Sequence, residues 1–166
     1  MFGLWTLLNS TNYFDMESEG EQFHFIPHPA QIVAIFRMLG IGYNSQSGLS
    51  KNLVQIGTGE GKSVTLAITA STMALFGMDT YCVCYSDYLS KRDFNTFEAL
   101  FAKLELLDRV NYGTFNKICE DVLNRSGDLR KQIENYILNN ELDDGMNNEE
   151  MVQRQRVLLI DEVLNY

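Results

Sequence analysis

The segment GTGEGKS, Gly57–Ser63, follows the apolar run NLVQI and precedes a helical pattern. No other stretch limits the fold so tightly. A chain that passes from a strand straight into a helix needs glycines, so that the backbone can turn with successive N–H groups pointing inward. The helix behind the turn directs its positive end at the same place. Such a loop suits a phosphate. The pattern G-x-x-x-x-G-K-S/T is matched from Gly57 onward, through Thr58, Gly59, Glu60 and Gly61 to Lys62 and Ser63, with Ile56 at its first position. Lys62 would set its ammonium against the β- and γ-phosphates. Ser63 would offer its hydroxyl to Mg2+, which takes oxygen ligands. The competing reading is a glycine turn with a solvated lysine. The strand before and the helix after weigh against it.

The rest of the chain alternates strand and helix patterns. Residues 10–22 are polar and acidic and read as a linker, so that 1–26 form an N-terminal segment and linker and 27–166 the main body. Pro27 and Pro29 lead into a helix with Ile32, Ile35, Phe36 and Leu39 in register. NLVQI is predicted as a buried strand, and KSVTLAITASTMALFG as a helix stopped by Gly77. DTYCVCYS predicts a strand, and Tyr88 to about Glu105 a helix with Phe97, Leu100, Phe101 and Leu104 on one face. RVNYGT predicts a strand, and helices follow at 116–125 and 128–139. The acidic loop NNELDDGMNNEEM then leads to RVLLI, a last buried strand that ends at Asp161 and Glu162. This order predicts an α/β layered domain with a mostly parallel sheet. Asp161 and Glu162 fall at the sheet's C-terminal edge, where ligands of open α/β folds sit. There Asp161 would hold Mg2+ through water, and Glu162 would orient or activate an attacking water.

A length of 166 residues fits one domain with a real core, and 45% hydrophobic residues fit a globular chain. With 13 Lys+Arg against 22 Asp+Glu, the net charge of -9 disfavours general nucleic-acid binding. The cysteines are Cys82, Cys84 and Cys119, an odd number that suits a reducing compartment. No apolar run reaches membrane-spanning length, and MFGLWTLLNSTNYF lacks the basic start of a signal peptide. That segment reads as a packed helix or a docking segment, with Phe2, Leu4 and Trp5 the residues a partner or membrane surface would meet. His24 and His28 are four apart, but Pro27 interrupts them and no cysteine completes a metal site. Cys82 and Cys84 share a strand face and read as core.

GTGEGKS, then SDYLSKRD and NYGTFN, resembles the motor of the SecA preprotein translocase ATPase family, whose matching motifs read T-G-E-G-K-T, N-D-Y-L-A-K-R-D and Y-G-T-x-N. Glu60 separates this loop from those of DEAD-box helicases. PHPAQ looks like the family's P-x-D-V-Q, with Gln31 as the adenine-reading glutamine, and Asp161-Glu162 looks like its D-E-A box. The resemblance covers roughly residues 27–163. It implies a P-loop NTPase (RecA-like) layered fold, an ATP and Mg2+ site built from Gln31, Thr58, Gly59, Glu60, Gly61, Lys62 and Ser63, and a DYLSKRD segment near the nucleotide. Asp87 and Arg92 of that segment would belong to the nucleotide-binding set and couple the site to motor movement. It also implies a preprotein and a membrane translocon as partners, and a cytoplasmic motor peripheral to the membrane. Pro29 stands for the family's aspartate, Val163 for the alanine of D-E-A, and Asn124-Arg125 for an R-D pair.

The family's second motor lobe with its arginine finger would lie beyond Tyr166. The expectation is therefore an incomplete motor that binds ATP with little turnover alone, because an arginine finger is worth about 10³–10⁵ in rate. Two alternatives stay open: a non-catalytic interaction module or degenerate fragment of the same fold, and an RNA helicase fragment.

Overall fold

The computed structural model describes residues 1–15, 26–42, 51–124, 137 and 154–161. Three strands, β1 (Asp79–Val83), β2 (Val110–Gly113) and β3 (Arg156–Ile160), form a parallel sheet in the order β2-β1-β3. Thr80 pairs with Val110 on one side and Val157 on the other, and Val83 with Gly113 and Ile160. The ladder runs one step past β3, where Asp161 N donates to Val83 O at 2.8 Å.

Side chains of β1 alternate between two layers, as the pleat requires. Cys82 packs with Ala67 and Ile68 of helix α3 (Lys62–Leu75) and with Leu100 and Phe101 of helix α4 (Asp87–Lys103). Tyr81 and Val83 face Ile118 of helix α5 (Phe115–Asn124) on the opposite side. A parallel sheet covered by helices on both faces is the α/β arrangement expected from the sequence, and it is consistent with part of a RecA-like fold.

The helices form where capping and packing agree. Ser86 caps α4, its hydroxyl accepting from Leu89 N at 3.2 Å. In α3, Thr65, Thr69, Ser71 and Thr72 each donate to the carbonyl four residues back, so hydroxyls sit inside a buried helix without orphaned polar groups. Gly77, at φ +88°, terminates α3 in the left-handed conformation that glycine adopts freely. Helix α2 (Pro29–Met38) carries a capping box that the sequence reading did not identify: His28 accepts from Ala30 N, and Gln31 Oε1 accepts from His28 N.

Three expectations change. NLVQI is not a strand: residues 51–57 carry no sheet pairing. Val54 and Ile56 are half-buried while Leu53 is 87% exposed, so the segment is extended with a period of two but lies outside the ladder. An apolar run becomes a strand only where a neighbour takes its N–H and C=O groups. β3 is also less buried than its composition suggests. Leu159 is buried, but Leu158 and Ile160 are 47% and 50% exposed. They lie on the face where α5 covers β1 and β2. Helix α1 (Phe2–Asp15) is longer than expected and takes in half of the supposed linker. Its Leu4, Trp5 and Leu8 enter the main core, leaving Phe2 as the exposed apolar side chain of the three named above. The predicted helix at 128–139 and the acidic loop after it lie outside the described residues, apart from Ile137.

Candidate functional site

The loop closes on itself before α3 begins. Gly59 and Gly61 sit at φ +82° and +77°, a region where a side chain is strained. Glu60 folds back so that its carboxylate accepts from Gly57 N at 3.0 Å. Gly61 is the N-cap of α3 and provides no side-chain cap, so the helix start relies on other groups to meet its first amides. Gln31 reaches across from α2 and donates from Nε2 to Glu60 O at 2.8 Å. Gln31 is thereby held between His28 N and the loop, with one further N–H and one further lone pair available to a ligand. Beside it lies a cavity of about 730 Å³, lined among others by Trp5, Gln31, Ile56, Gly59 and Glu60.

At the far end of the loop, Lys62 Nζ lies 3.6 Å from Asp161 Oδ1. The structure thus brings the two expected elements together, the lysine at the start of α3 and the aspartate just past β3. Both lie at the C-terminal edge of the sheet. A smaller cavity of about 270 Å³ opens there between Val83, Cys84, Thr114, Asn116 and Asp161. Ser63 Oγ donates to Asp93 Oδ2 at 3.0 Å. Arg92 Nε and Nη2 donate to Asp93 Oδ1 at 2.9 and 2.6 Å. The carboxylate beside it raises the Arg92 pKa further above its ordinary value, first by hydrogen bonding and then by its charge.

Thr58 is exposed in the turn of the loop. Asp87 is not drawn to the loop by any direct bond; it pairs at 2.6 Å with Lys91 one helical turn along α4. That hydrogen bond and charge hold the Asp87 carboxyl below its ordinary range. Glu162 lies outside the described residues. Two residues with no expected role stand in the site. Asp93 is 3% exposed, and Cys84 Sγ and carboxylate oxygens of Asp93 and Asp161 lie within 4.8 Å of one another. Asp93 had a signal: it is the acid on the stripe that carries Ser90 before it and the apolar Phe97, Leu100 and Phe101 after it. The oxygen donors Ser63 and Asp161 suit Mg2+, a hard cation that prefers carboxylate, hydroxyl and water.

Fold and site together define an α/β domain whose glycine loop opens a buried helix and faces an aspartate at the end of a neighbouring strand. The chain belongs to the SecA DEAD-like domain family, which it matches over residues 17–163. Among curated proteins it is similar to protein translocase subunit SecA 2 of Staphylococcus aureus strains Newman, NCTC 8325 / PS 47 and COL. Each is 37% identical over 67 residues, covering 37% of this chain and 8% of the relative. The match thus spans a small part of those proteins' length. No solved structure matches.

Proposed function

We propose that this chain is the ATP- and Mg2+-holding part of a SecA-type translocation motor, with residues 27–166 as the motor portion. The observation that carries the reading is the approach of Lys62, at the start of α3, to Asp161 at the end of β3, 3.6 Å apart beside the closed glycine loop. Loop amides at Gly59–Ser63 and the α3 N-terminus would receive the phosphates. Lys62 would exchange Asp161 for a phosphate oxygen, and Gln31 would read adenine with its remaining donor and acceptor. Ser63 and Asp161 would hold Mg2+, which when bound neutralises charge on the phosphate oxygens. Glu162 would orient water. Arg92 and Asp87, on the first turns of α4, would link the site to movement. In a complete motor the cargo would be a preprotein, delivered at the cytoplasmic face of a membrane translocon.

Calorimetry with a non-hydrolysable ATP analogue and Mg2+ tests this directly. The wild-type chain is expected to bind, and Lys62→Ala to bind about tenfold more weakly or less, the scale of a lost charge-assisted hydrogen bond. Equal binding by both proteins would refute the site.

A second reading, a non-catalytic interaction module of the same fold, draws on the exposed Leu158 and Ile160 of β3. On that reading neither protein binds the analogue.

A further inference from the structure

We propose that Asp93 is the positioning residue for the Mg2+ end of this site: it accepts the Ser63 hydroxyl proton and so turns the Ser63 oxygen lone pairs toward the cation. This rests on the nucleotide reading above.

A serine hydroxyl has one proton and two lone pairs, and its proton must point away from any cation that its oxygen ligates. The partner that takes the proton therefore decides whether the oxygen can serve. Here the partner is Asp93 Oδ2, at 3.0 Å from Ser63 Oγ. The other carboxylate oxygen, Oδ1, is occupied by two N–H groups of Arg92 at 2.9 and 2.6 Å. The two oxygens thus have separate tasks, and the Arg92 fork fixes which one faces Ser63.

Asp93 is 3% exposed, and a carboxylate so far from water costs free energy unless it is paired and hydrogen-bonded. It holds that position on the buried face of α4, one turn before Phe97. A carboxylate oxygen of Asp93 also lies within 4.8 Å of one of Asp161, which places it at the end of the loop where Lys62 and Asp161 meet. Both Asp93 oxygens accept bonds from protein groups, Oδ2 from Ser63 and Oδ1 from Arg92, and the role assigned to Asp93 runs through its bond to Ser63.

Asp93→Asn inverts this polarity. The amide oxygen stays with Arg92, which offers only donors, so the NH2 group faces Ser63. Ser63 must then accept from it, and the hydroxyl proton swings toward the cation.

The experiment titrates a non-hydrolysable ATP analogue into the full chain with Mg2+ and again with a chelator; the ratio of the two dissociation constants is the Mg2+ enhancement. Asp93→Asn is expected to lower this ratio about tenfold or more, the range found when partners behind a metal ligand are changed. Ser63→Ala should lower it as far, and the double variant no further. A wild-type ratio in Asp93→Asn overturns the proposal. So does an additive loss in the double variant, because Asp93 would then act independently of Ser63. If circular dichroism shows Asp93→Asn unfolded, Arg92→Gln decides. Its side chain is half-exposed and its loss releases the clamp on Asp93, so the ratio should fall severalfold; an unchanged ratio overturns the assignment. A wild-type chain with no Mg2+ enhancement at all refutes instead the nucleotide reading on which the proposal stands.

Discussion

Gly61 stands at φ +77° with Gln31 Nε2 in the space a Cβ would need. Gly59 has a similar backbone, φ +82°, but open space around it. The two positions therefore separate backbone strain from crowding. Gly59→Ala should cost about 1–2 kcal/mol, the penalty for a left-handed residue with a side chain. Gly61→Ala should cost more, because it also pushes Gln31 off Glu60 O. Urea denaturation of both variants checks the order; equal losses would mean that the Gln31 bridge contributes nothing. At this scale the turn at Gly59 and Gly61 is legible in the sequence, because a left-handed backbone depends on residue type at fixed spacing. The role of Asp93 is not. It depends on which face of α4 turns toward α3, and on a contact between residues 30 positions apart. The motif SDYLSKRD draws the eye to its charged residues, but only the fold separates Asp87, paired locally with Lys91, from Asp93, turned inward to Ser63.

Among the elements, α3, α4, α5, β2 and β3 lie within about two residues of their sequence-based positions, and β1 starts where expected but stops at Val83, short of Ser86. Their apolar periodicity and stop signals are local. The misread elements depend on neighbours. NLVQI has the composition of a buried strand but no ladder beside it, and the apolar face of β3 stays half-exposed at Leu158 and Ile160. Helix α1 is misjudged for a related reason. Ser10 falls among polar residues, yet the helix continues through it, with Ser10 Oγ donating to Leu7 O at 2.7 Å. Propagation adds one backbone bond per residue once a helix is nucleated, and the docked apolar turn at Leu4, Trp5 and Leu8 supplies the anchor. Leu8→Ala should therefore cost about 2–5 kcal/mol, as for other fully buried leucines. Phe2→Ala, at an exposed position, should change stability by about 0.5 kcal/mol or less. Chemical denaturation followed through Trp5, the lone tryptophan and a core residue, reads both; similar small losses would show that α1 is not part of the cooperative core.

At the scale of the whole molecule, one sheet edge gathers what the chain keeps far apart in sequence. Gln31 on α2, the loop before α3, Asp93 on α4 and Asp161 after β3 meet around the loop and the C-terminal ends of β1 and β3. These groups satisfy one another: Glu60 with Gly57 N, Lys62 with Asp161, Ser63 with Asp93. On the proposed function, a bound phosphate would exchange at least the Lys62 contact for a new one, so the loop is where a nucleotide would leave its mark. Amide hydrogen exchange reads that mark residue by residue. With Mg2+ and a non-hydrolysable ATP analogue, exchange should slow at Gly59–Ser63 and beside Gln31, and the change should vanish in Lys62→Ala. Bound nucleotide with unchanged exchange across Gly57–Ser63 would contradict the account.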